Sequence, residues 1–106
     1  MTVYSAPLSD IEFSLNSFVD LPSIMKYDHF GEADHSMVSD LLAEAGRFMT
    51  DIFAPLNKSG DNEGAKRNPD GTVSTPQGFI EAYHAYVEAG WGAVSFDTGF
   101  GGGGFP

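Results

Sequence analysis

The stretch that most constrains this chain is 34–60, "DHSMVSDLLAEAGRFMTDIFAPLNKSG", where Val38, Leu41, Leu42, Ala45, Phe48, Met49, Ile52, Phe53 and Leu56 recur at steps of three and four. On a helix turning every 3.6 residues, that spacing gathers the apolar side chains into one broad stripe. Asp40, Glu44 and Asp51 fall on the opposite side and read as a solvated face. Asp34 is a natural cap for the first turn. Pro55 removes a backbone donor late in the pattern, so a kink or stop is expected there, with Gly60 as the latest terminus. A stripe this wide demands cover.

The candidates to cover it are short. In "SDIEFSLNSFVD", Ser9 and Glu12 have capping-box spacing and Ile11, Leu15, Phe18 and Val19 share a face, with Pro22 and Ser23 ending the run. The following "LPSIMKYDHFGEADH" is polar and reads as irregular. A further helix is expected with Thr75 as N-cap and Pro76 at the first position, carrying Phe79, Tyr83, Tyr86 and Val87 in register and stopping at Gly90. Between them "NKSGDNEGAKRNPDGTVST" has almost no apolar side chains and reads as a long loop or an irregular hairpin around Asn68-Pro69-Asp70-Gly71. The fold class is all-α, with about three helices.

Size and charge narrow the function classes. At 106 residues the chain is one small domain at most, with a thin core, although 42% hydrophobic and 13% aromatic content is a globular composition. A net charge of -10, with Lys26, Arg47, Lys58, Lys66 and Arg67 scattered or confined to one loop, argues against a nucleic-acid partner. Cysteine is absent, which removes disulfides and thiolate metal sites and permits a reducing compartment. The opening "MTVYSAPLSD" lacks signal-peptide character and no run is long enough to span a bilayer, so the expectation is a cytoplasmic chain without a membrane partner.

Three constellations invite a chemical reading. Gly99, Gly101 and Gly104 in "GFGGGG" satisfy the dinucleotide pattern G-x-G-x-x-G, but a weak strand precedes them and no helix follows to aim amides at a phosphate. Asp28, His29, Glu32, Asp34 and His35 are all competent metal ligands, yet polar residues preceding a helix account for them. His84 has no carboxylate, serine or cysteine placed by sequence to work with it, and Tyr83 and Tyr86 read as packing groups. No catalytic, cofactor-binding or metal residue is assigned. Trp91, Phe96, Phe100 and Phe105 crowd the terminal segment with more apolar area than a disordered tail carries, which points to a missing packing surface.

The segments "LLAEAGRFMTDIFAPLNKSGDNEGAK" and "TPQGFIEAYHAYVEAGWGAVSFDTGFGGGGFP", in this order, resemble the N-terminal helical domain of acyl-CoA dehydrogenases. The opening "YSAPLSDIEFSL" is similar to the N-terminal extension of the subfamily that includes the 3-methylmercaptopropionyl-CoA dehydrogenases. The resemblance divides the chain into an extension over 1–33 and a partial N-terminal helical domain over 34–106, ending where the family would begin its next helix. It implies an FAD-dependent α,β-dehydrogenation of acyl-CoA thioesters, with an electron-transfer flavoprotein as acceptor and a homo-oligomeric complete enzyme. It also implies that the main FAD-binding segments and the catalytic glutamate lie outside these residues, which would be inactive alone.

Phe100, Gly101, Gly102, Gly104 and Pro106 match the family pattern. Thr98 and Gly99 stand where it commonly has Pro-Glu, Gly103 where it has Gln, and Ser9 where an arginine is usual. These glycines are expected to make a tight connection between packed helices rather than a phosphate cradle. The competing reading is a stand-alone acidic helical module that binds a partner through its apolar tail.

Overall fold

A computed structural model describes residues 3–106. Its elements in chain order are α1 (Leu8–Ser17), α2 (Leu21–Ile24), α3 (His35–Phe48), a π-helical turn (Met49–Phe53), α4 (Ala54–Glu63), the strands β1 (Lys66–Arg67) and β2 (Val73–Ser74), and α5 (Phe79–Glu88). Single 3-10 turns occupy Asp28–Phe30, Trp91–Ala93 and Thr98–Phe100. The all-α reading holds, apart from a two-stranded antiparallel ribbon with Lys66 opposite Ser74 and Arg67 opposite Val73.

The wide apolar stripe forms one helical rod from α3 through the π turn into α4. Asp34 caps it as expected: its Oδ1 accepts from the Met37 amide at 2.9 Å and from the Ser36 hydroxyl at 2.7 Å. Pro55 does not end the rod, which runs on through Ala54–Glu63. The preceding turn widens instead, so that the Ala54 amide donates to the Met49 carbonyl five residues back. A proline in an α-helix clashes with the carbonyl four residues earlier and cannot bond it, and a wider turn relieves that conflict. The Thr50 hydroxyl donates back to the Gly46 carbonyl at 2.8 Å, at the entrance to the π turn.

The expectation of a stop at or before Gly60 is corrected. The rod continues to Glu63 and ends at Gly64, whose positive φ of 66° reverses the chain while its amide bonds the Gly60 carbonyl. Gly60 is buried within the helix because the Phe79 ring of α5 lands on it; a Cβ there would lie 2.5 Å from Phe79 Cζ. The Glu63 carboxylate accepts from the Gln77 amide at 3.0 Å, tying the end of α4 to the approach to α5. Residues 57–63, which composition alone assigns to a loop, are therefore helical, and tertiary partners outweigh weak propensity.

Two N-termini also differ from expectation. α1 starts at Leu8 behind Pro7 and no side chain caps it, so the Ser9–Glu12 box is not formed. α5 starts at Phe79 behind the left-handed Gly78, while Thr75 and Pro76 stay outside any helix and Pro76 is buried. Gly90, with φ 80°, does follow the end of α5 as expected. The segment read as irregular after α1 contains the one-turn α2, opened by Asp20 in the left-handed region and a bond from the Ser23 hydroxyl to Asp20 Oδ2. Around Asn68-Pro69-Asp70-Gly71 the hairpin closes through Asn68 amide to Thr72 carbonyl (2.8 Å) and Gly71 amide to Asn68 carbonyl (3.0 Å).

The apolar core is small. Leu21 and Ala82 are the buried hydrophobic side chains among the described residues, and no large side chain is fully enclosed. α1 lies against α3 where Gly46 lets Ala6 and Leu8 approach, and Ile11 and Leu15 are half-buried while Phe13, Phe18 and Val19 face out. The radius of gyration is 17.4 Å, against about 13 Å for a compact domain of ~100 residues. The extents of 53 × 36 × 20 Å make the same point. These helices lie along a rod rather than closing around a centre.

Candidate functional site: an apolar groove and a glycine-rich tail

The stripe and α5 leave an open groove between them. Met49, Phe53, Leu56, Phe79 and Tyr83 supply its apolar walls, Gly60 and Ala82 its floor, and Asn57 and Asp61 its polar groups, around a volume of about 1010 Å³. The π turn matters here because it sets the rotation at which Phe53 and Leu56 leave the rod. Phe53 meets Tyr86 edge to face with centroids 6.3 Å apart, which holds α5 beside the turn. At the far end, Phe48 packs against Trp91 at 5.9 Å. The Trp91 indole nitrogen is shielded from solvent and bonds no acceptor among the described residues. Sequence periodicity found these residues as packing groups, but not the groove; the one local hint was Pro55 interrupting the stripe.

The terminal segment is a compact backbone knot. The Gly99 amide donates to Asp97 Oδ1 at 2.7 Å, those of Phe100 and Gly102 to the Asp97 carbonyl, and that of Gly101 to the Thr98 carbonyl. The amides of Gly103, Gly104 and Phe105 return to the carbonyls of Ala93, Phe96 and Val94. Every amide from 99 to 105 is thus committed inside the segment. A phosphate cradle needs amides pointing at the ligand, so the G-x-G-x-x-G spacing of Gly99, Gly101 and Gly104 serves close backbone approach instead. Two of the rings it carries stay open to solvent, Phe100 at 92% and Phe96 at 60% exposure, while Phe105 is half-buried.

The other sequence candidates separate. Asp28, His29 and Glu32 line a shallow cleft of about 350 Å³ against Asp97, Gly103 and Phe105. Asp34 is turned to the α3 cap, and among the described residues no three histidine or carboxylate side chains converge to hold a metal ion. Bonds from the Met37 amide and then the Ser36 hydroxyl hold the Asp34 carboxyl below its ordinary value. His84 and Tyr83 are exposed on α5 with rings 6.4 Å apart. No helix among the described residues is long and apolar enough to cross a membrane.

No protein-family model matches the chain. It is 35% identical over 103 residues to the 3-methylmercaptopropionyl-CoA dehydrogenase of Ruegeria pomeroyi, a match covering 97% of this chain and 17% of that protein. It is 27% identical over 103 residues to the broad-specificity linear acyl-CoA dehydrogenase FadE5 of Mycobacterium tuberculosis, covering 96% of this chain and again 17% of the relative. The helical segment is homologous to the N-terminal portion of acyl-CoA dehydrogenases. It spans 17% of the length of these relatives.

Homology to this family implies FAD for a complete enzyme. The described residues do not fit a flavin dinucleotide by themselves. The groove presents a carboxylate, Asp61, and no cationic side chain toward a pyrophosphate, and the glycine amides that could have held one are already bonded.

Proposed function

We propose that this chain is the N-terminal portion of an FAD-dependent acyl-CoA dehydrogenase that introduces an α,β double bond into an acyl-CoA thioester. In this reading residues 1–33 are an extension and 34–106 part of the N-terminal helical domain. Their contribution is scaffold and one wall of the substrate cleft, with no catalytic residue of their own. FAD, the acyl-CoA substrate, an electron-transfer flavoprotein and assembly into a homo-oligomer belong to the complete enzyme. The observation that carries the reading is the match over 97% of the chain to a 3-methylmercaptopropionyl-CoA dehydrogenase. The thin core and the exposed aromatic tail agree with it, because a segment shaped inside a larger protein leaves apolar surface uncovered when taken alone.

A chimera tests the proposal: this chain replaces the matched segment of the Ruegeria pomeroyi enzyme, and flavin content, oligomeric state and flavin reduction by that enzyme's acyl-CoA substrate are measured. The expected product is a flavin-loaded oligomer that still reduces its flavin. A loaded oligomer without flavin reduction would remove the cleft-wall role. Failure to assemble, where the same exchange with the FadE5 segment assembles, would remove the scaffold role. If the 106-residue chain alone is a sharply two-state, flavin-free monomer, the stand-alone interaction module takes its place.

A further inference from the structure

We draw no further inference here: the strongest candidate, the apolar groove between α5 and the rod formed by the π turn and α4, belongs to the site already described, and nothing in the structure shows what covers it.

Discussion

Replacing Gly102 by alanine tests whether the glycine-rich tail is a backbone knot. A Cβ at this position would sit 2.1 Å from the Phe96 carbonyl oxygen and 2.3 Å from its carbon. Neither atom is the end of a side chain that can swing away, so the segment 93–97 and the returning segment 102–105 must part. Parting them removes the bonds from Gly102 to Asp97 (3.1 Å), Gly103 to Ala93 (2.9 Å) and Gly104 to Phe96 (2.9 Å). At about 1 kcal/mol net for each bond, the local loss is about 3 kcal/mol. That corresponds to roughly a hundredfold drop in protection of these amides, since a tenfold change is ~1.4 kcal/mol.

The neighbouring Gly101→Ala is the control. Gly101 has φ 83° with nothing within 4 Å of a built Cβ, so alanine there meets only the left-handed penalty of about 1–2 kcal/mol. Residue-resolved amide hydrogen exchange reads both variants in one experiment. G102A should deprotect 102–105 well beyond G101A, while the amides of α5 keep their wild-type rates. Equal effects at the two positions, or unchanged protection in G102A, would refute the close-approach account and return the glycines to flexibility.

Gly78→Ala should destabilise the whole chain by about 1–3 kcal/mol, because φ is 87° and the new Cβ would press to 2.8 Å from Leu56 Cδ2; the urea midpoint checks it. Asp34 gives a pH prediction with a definite sign. Its folded pKa is lowered from 3.8, chiefly by the Met37 amide bond, so its contribution is present above the unfolded value and is lost as pH falls below 3.8 through the folded one. Helicity followed by circular dichroism should fall over that acid range in the wild type and lose this component in Asp34→Asn, which keeps a capping oxygen but cannot ionise. With Phe96 and Phe100 exposed, the 106-residue chain should bind a hydrophobic dye, and Phe100→Ser should lower the signal; a wild type that binds none would contradict the exposed tail.

Much of the architecture was legible because its causes are local. The recurrence from Val38 to Leu56 specifies a helix through side-chain spacing alone, and Asp34 caps it through groups within three residues. The glycines at 71 and 90 adopt the left-handed conformations that turns and helix ends require. The groove was less legible. Phe53, Leu56 and Phe79 could each be recognised as apolar, but their meeting depends on the rotation introduced by the π turn and on a contact between segments well separated in sequence.

By itself, then, the sequence determined that the chain is helical, where its long stripe runs and that the chain turns at Gly71 and Gly90, since each follows from backbone preferences and spacing over a few residues. Tertiary structure decided how far α4 extends, where α5 begins and what the glycines at 60 and 102 are for. Those outcomes depend on partners beyond the local turn: the Glu63 carboxylate reaching the Gln77 amide, the Phe79 ring on Gly60, and two backbone segments closing where a side chain would not fit. Local propensity over 57–63 is too weak to settle the matter, and contacts worth about 1 kcal/mol each tip it.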